Sequence, residues 1–205
     1  DYVHHYGYAS SDPEVLLAKR KRNLDILLPA IESDPHCMKH YLQGVTEYQA
    51  MDDYASACRM ADAGIANCIP GRPENALHID GLYAAAVRMR MREGRSREAL
   101  QLGRDYLGNG SISNLARASI CGDLAIACAK SDEYEPCVEY LQEYLKWKEY
   151  FLEHPKEWLE QKINILDSCF EDYQYRGVMG WGLAAAAWGG KGGCLEMLLE
   201  KESME

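Results

Sequence analysis

Few residue groups in this sequence have the types and spacing that chemistry requires. Gly189-Gly190-Lys191-Gly192-Gly193 has the glycines and the lysine of a phosphate loop. That loop needs G-x-x-x-x-G-K-[ST] after a strand. Here Gly follows Lys191 and the flanks read as helical, so the run predicts a flexible helix–helix turn. The paired acids Asp52-Asp53 and Asp132-Glu133 could hold a metal or serve in acid–base catalysis. They fall at equivalent turns, however, where acids cap the following helix and favour its dipole. Lys19-Arg20-Lys21-Arg22 could mark a nucleic-acid or nuclear-localisation patch, but Glu14 and Asp25 stand nearby, and a solvated or interface-facing helix surface fits better. The cysteines, Cys37, Cys58, Cys68, Cys121, Cys128, Cys137, Cys169 and Cys194, never form C-x-x-C, and no His stands at zinc-finger spacing beside a Cys pair. They read as small core residues of a reducing cytosol. No Ser/His/Asp or Cys/His arrangement is recognisable.

Composition narrows the classes further. A net charge of -10 argues against general nucleic-acid binding. No apolar run reaches the roughly 18 residues of a membrane span. The N-terminus shows no basic region followed by an apolar one, so no secretory signal is visible. Asp rather than Met opens the chain, which fits a fragment. These features predict a cytoplasmic chain without a membrane span, and they are compatible with a homo-oligomer.

The elements that would position any site are helical. Asp12-Pro13-Glu14 is a helix start, with Asp as N-cap and Pro at the first helical position. The helix is expected to run to about Ser33, with Val15, Leu16, Leu24, Leu27, Leu28 and Ile31 on its apolar face. Pro29 should kink it or end it early. Asp34-Pro35 restarts a helix. Tyr41, Gly44, Val45 and Tyr48 then lie on one helical face, and Ala57, Ala61 and Gly64 on the next, across the turn Met51-Asp52-Asp53. The pattern returns 42 residues on as Tyr83, Ala86, Val87 and Arg90, then Gly94, then Ala99, Gly103 and Tyr106. It returns after a further 38 as Cys121, Leu124, Ala125 and Cys128, then Ser131-Asp132-Glu133-Tyr134, then Cys137, Leu141 and Tyr144. The last helix of this copy should continue through Trp147, Tyr150 and Phe151 to a break at His154-Pro155. Helices are expected from about Lys156 to Tyr175, from Gly177 to Trp188, and from Cys194 to about Lys201, as a degenerate capping hairpin.

Helix–turn–helix units repeating near 34 residues mark the tetratricopeptide family. The chain resembles it at Tyr41, Tyr48, Asp53-Tyr54 and Ala57, and at Gly94, Ala99, Asp132-Glu133-Tyr134 and Cys137. The longer offsets of 42 and 38 place extra residues between units. The resemblance implies an all-α fold, a right-handed superhelix of antiparallel helix hairpins spanning residues 35–205, with 12–34 as linker and first helix. Its groove would be lined from the first helix of each hairpin. Register suggests Lys39, Leu42, Thr46 and Gln49, then Ala84, Arg88, Met91 and Arg92, then Ile126 and Lys130. The cations Lys39, Arg88, Arg92 and Lys130 could there receive an acidic peptide or another anion, or stand as ordinary solvated side chains.

A second resemblance concerns the N-terminus. Val3-His4-His5-Tyr6-Gly7-Tyr8, then Lys19, Lys21 and Arg22-Asn23, then Leu27-Leu28 and Asp34-Pro35, is similar to the junction in bacterial family 2 glycosyltransferases that carry a tetratricopeptide-like tail. In these a hydrophobic-x-His-x-Gly-Tyr element closes a GT-A catalytic domain. The resemblance makes residues 1–11 an extended remnant of that domain and His5 a ligand of its divalent metal, Mn or Mg. The nucleotide-binding portion and the Asp-x-Asp motif are not found in this chain. The chain alone is therefore expected to be non-catalytic and to need no cofactor. Its role would be to bind a protein, a peptide or the glycosyl acceptor in the groove. The alternative is a free-standing tetratricopeptide-like interaction scaffold, unrelated to sugars.

Overall fold

The computed structural model describes residues 12–109, 112–162, 170, 172–190 and 192–203. Among them there are ten α-helices and no strand. The expected remnant at residues 1–11, His5 included, lies outside the described residues.

Helix α1 (Pro13–Ser33) begins as its sequence dictates. The Asp12 carboxylate accepts the Glu14 amide at 2.9 Å, with Pro13 following the cap. The expected early end at Pro29 does not occur, since the helix continues to Ser33. Pro29 and Asp25 both face solvent, so the carbonyl that loses its partner to the proline ring can bond water. The expected apolar face is also narrower. Leu24 is buried and Leu16, Leu27 and Ile31 are half-buried, but Val15 (51% exposed) and Leu28 (40%) point outward.

The next six helices form three hairpins: α2 (Met38–Gln49) with α3 (Tyr54–Asn67), α4 (Ala76–Arg92) with α5 (Ser96–Leu107), and α6 (Asn114–Lys130) with α7 (Tyr134–Glu153). Residues 34–37 form a turn, so α2 starts later than Asp34-Pro35 suggests. Each hairpin closes through the same backbone device. One residue takes positive φ: Asp52 at 57°, Gly94 at 76°, Asp132 at 60°. The amide of the next residue then returns to a carbonyl five positions back: Asp53 to Tyr48, Arg95 to Arg90, Glu133 to Cys128. A connection of three or four residues between helices that pack along their lengths makes each pair antiparallel.

The repeated positions face inward. Tyr41, Val45, Ala57 and Ala61 of the first hairpin, Ala86, Val87 and Ala99 of the second, and Cys121, Leu124, Ala125, Cys128, Cys137, Leu141 and Tyr144 of the third are all buried. Large side chains sit opposite small ones. A Cβ on Gly64 would stand 2.8 Å from Tyr41 Cβ, and one on Gly103 would stand 2.8 Å from Leu124 Cδ2.

Each helix packs on the next through the three hairpins, and the first helices also pack on one another, α2 on α4 and α4 on α6. Helix α4 therefore belongs to two apolar groups. Leu82, Ala85, Ala86 and Met89 join α2 and α3, while Ala84 and Val87 join α5, α6 and α7. From Asp80 to Met89 only Tyr83 escapes full burial, and from Leu115 to Ala129 of α6 only Arg117 and Ile126 do.

Helix α7 runs through Trp147, Tyr150 and Phe151 and stops before His154-Pro155 as expected, with the His154 ring stacked on Tyr150 at 4.1 Å. The helix expected from Lys156 to Tyr175 lies partly outside the described residues. Helix α8 (Pro155–Lys162) is described as far as Lys162, residue 170 lies in a turn, and α9 (Asp172–Trp188) continues through Gly177. Tyr175, Val178, Met179, Gly182, Ala185 and Ala186 make one buried stripe at helical spacing, which carries α9 across the glycine. Helix α9 packs on α6 and α7, and α10 (Gly192–Ser203) packs on α9. Gly190 at the α9–α10 connection again has positive φ, 66°.

Candidate functional site

The first-helix cations do not share one environment. Arg88 is 5% exposed, and its Nε donates to Asp123 Oδ2 at 3.1 Å while Nη2 donates to Ser119 Oγ at 2.8 Å. Gln174 of α9 reaches the other Asp123 oxygen at 3.4 Å. Arg88 is thus a strut between α4 and α6, which corrects its place among groove cations. Leu42 and Ala84, also expected to line the groove, are buried. The reason is that α4 and α6 are sandwiched on two faces, so their polar residues pair across the seam. Lys130 lies over the Trp181 ring, 5.6 Å from its centroid, at the end of α6. Lys39 and Arg92 are exposed, Met91, Gln49 and Ile126 are half-buried, and Thr46 turns its hydroxyl back to the Leu42 carbonyl at 3.0 Å.

The paired acids serve the turns. Asp52 and Asp132, the residues at positive φ, accept the hydroxyls of Tyr54 and Tyr134, each at 2.7 Å. Asp53 caps α3 by accepting the Ser56 amide and hydroxyl, and these bonds hold its carboxyl below the usual range. Glu133 departs from the capping expectation, because its carboxylate takes the Arg104 guanidinium instead. Burial pushes the thiols of Cys58, Cys121 and Cys137 up to about 12 and that of Cys128 to about 11. A thiol so protonated is a poor nucleophile at neutral pH. Among the described residues no three His, Cys, Asp or Glu side chains come together as a metal site.

What the repeat register does not foretell is a cleft of about 580 Å³ beside the α3–α4 connection. The connection holds Cys68-Ile69-Pro70-Gly71-Arg72-Pro73-Glu74-Asn75 and ends in a 3-10 turn at Pro73–Asn75. It forms one wall of the cleft. Ile65, Ala76, Ile79, Tyr83 and Tyr106 supply the rest of its apolar surface, and Asn109 stands at an edge. The two tyrosine rings are stacked, 3.7 Å between centroids and 11° apart. A buried carboxylate fixes them, since Asp80 accepts the Tyr106 hydroxyl at 2.5 Å and the Ser113 amide at 2.7 Å. Burial and that carboxylate raise the Tyr106 phenol well above its ordinary value, so it remains a donor. The outer wall is pinned too. The buried Asn75 side chain donates to the His36 carbonyl at 2.9 Å and accepts the Met38 amide at 3.3 Å. The cleft therefore has the walls of a binding site. The long 42-residue offset and the run of Pro and Gly were the only sequence signals for it.

A second, smaller cleft of about 290 Å³ lies between α1 and α2, lined by Asn23, Ile26, Leu27, Gln43, Thr46 and Glu47. Its floor is tied by Glu47, which accepts Arg20 at 3.1 Å and Asn23 at 2.9 Å. No protein-family model and no curated protein sequence matches the chain.

Proposed function

We propose that this chain is a helical-repeat binding region, a tetratricopeptide-like right-handed superhelix of hairpins that belongs to a family 2 glycosyltransferase. The observation that carries the repeat reading is the shared turn. Positive φ recurs at Asp52, Gly94, Asp132 and Gly190, and the three turns from Asp52, Gly94 and Asp132 close on equivalent carbonyls. The lateral packing of α2, α4 and α6 supports the same reading, because stacking of first helices is how repeat units bury a continuous core. The parent enzyme would transfer a sugar from a nucleotide donor with a divalent metal, and this region would position a partner or acceptor. The junction residues His5, Arg22-Asn23 and Asp34-Pro35 support that attachment.

The coding sequence immediately upstream decides the attachment. An Asp-x-Asp-bearing α/β domain in frame before Asp1 supports it, and a start codon just before or near Asp1 leaves the free-standing scaffold instead. The non-catalytic role is tested by incubating the 205-residue chain with sugar nucleotides and Mn²⁺ and following nucleoside diphosphate release. Release above background would overturn it. Small-angle scattering tests the superhelix, since a stack of hairpins gives an elongated pair-distance distribution and a globular bundle does not.

A further inference from the structure

We propose that the cleft beside the α3–α4 connection is a binding site for a small planar aromatic acid. Resting on the binding-region reading, it adds the chemical class of one ligand. The cleft's volume, about 580 Å³, falls in the range of roughly 300–1,000 Å³ typical of small-molecule sites. Its lining is mostly apolar, and it contains a stacked tyrosine pair of which Tyr106 is held by Asp80. Stacked rings oriented in advance offer a flat aromatic partner a surface at little ordering cost.

The cation is Arg72. It lines the cleft, its side chain is 41% exposed, and its ion pair to Glu74 runs through Nε at a loose 3.7 Å. Glu74 is itself 65% exposed, so that pair competes weakly with a ligand carboxylate. The guanidinium fork can meet a carboxylate with two parallel hydrogen bonds. Pro70 and Pro73 flank Arg72 and limit the loop's conformations, while Asn75 ties its end to the chain before α2. A preorganised wall, an aromatic surface and the Arg72 guanidinium at the rim together select flatness and negative charge. The cleft's limited volume favours a small molecule over an extended peptide.

Titration of the chain with naphthalene-2-carboxylate, read by amide chemical shifts and calorimetry, tests this. Shifts are expected in residues 65–83 and 106–109. The neutral probe 2-naphthalenemethanol should bind about tenfold more weakly, the worth of one charge-assisted contact. Cyclohexanecarboxylate, which cannot stack, should bind more weakly still. Arg72→Gln, on an exposed loop, should lower the acid to the level of the alcohol, and Ala76→Trp should block all three probes. Equal affinity of acid and alcohol, shifts centred elsewhere, or no binding at millimolar probe would overturn the proposal. So would a peptide ending in an aromatic residue that binds more tightly than the naphthoate with shifts beyond the cleft. None of these failures would touch the hairpin register or the upstream-domain test, so the two readings fail separately.

Discussion

The Arg88–Asp123 pair gives the sharpest test of how the hairpins hold together. Both side chains are almost fully withdrawn from water, 7% and 8% exposed, so solvent screening does little to weaken the interaction. Arg88→Leu would strip Asp123 of its Nε donor and Ser119 of its Nη2 donor. Gln174, at 3.4 Å, adds a long neutral bond to the carboxylate. Breaking one side of a buried pair costs about 3–5 kcal/mol because an uncompensated charge stays buried. For a chain of this size each kcal/mol corresponds to about 2–4 °C in melting temperature. A loss of about 6–20 °C is therefore expected, measured by calorimetry and by urea unfolding at constant m. Asp123→Leu should cost a similar amount by stranding the guanidinium. The double variant Arg88→Leu/Asp123→Leu should recover most of the loss, since an apolar replacement of a buried pair is often neutral or stabilising. The double-mutant cycle should give a coupling above about 2 kcal/mol. Single variants that each cost under about 1 kcal/mol and combine additively would refute the buried strut and return Arg88 to a solvated groove.

Other substitutions probe the turns, the interhelical approaches and the thiols. Gly64→Ala should cost about 1–3 kcal/mol, because the new methyl meets Tyr41 Cβ, which cannot move without its backbone. Gly103→Ala should cost less, because it meets the flexible end of Leu124, and urea midpoints rank the two. Asp52→Gly should be nearly neutral while Asp52→Val costs about 1–2 kcal/mol, since only the β-branched residue resists positive φ. Asp53→Ala should cost about 1 kcal/mol at neutral pH. The Asp53 carboxyl is lowered in the folded state, so the cap's contribution is complete above the unfolded value of about 3.9 and is lost as pH falls through the folded one. The difference between wild type and Asp53→Ala should accordingly shrink below about pH 4. Alkylation mapped by mass spectrometry at pH 8 should modify the half-buried Cys37, Cys68 and Cys194 well before Cys58, Cys121, Cys128 and Cys137.

The hairpins were legible in the sequence for a simple reason. Residues such as Ala57, Ala61 and Gly64 bury one stripe at helical spacing, and a helix whose other faces stay open to solvent writes that spacing clearly. The pattern blurs where a helix is buried on nearly every side. In α4 and α6 the second buried face carries Asp80, Arg88, Ser119 and Asp123, whose polarity reads as solvent until their mutual bonds are seen. The expected groove lost Arg88 for that reason. Gly177 misled differently, since it was expected to open a helix but lies inside α9. Gly182, within the expected helix, makes room for Leu141 of the neighbouring helix. The candidate cleft was least legible of all, because it joins a loop, the start of α4 and the end of α5 through contacts that no local period encodes.

The two outer helices differ from the middle in a way that governs how the molecule opens. Helix α1 rests chiefly on α2 and α10 chiefly on α9, whereas α4 and α6 are gripped from several sides and cross-braced by Arg88. Amide hydrogen exchange should therefore fall into graded classes, with α1 and α10 exchanging through low-energy fraying and α4 and α6 only through global unfolding. The helices around α4 and α6 should then open as one cooperative block, and each outer helix as a hinged leaf that can open while the block stays closed.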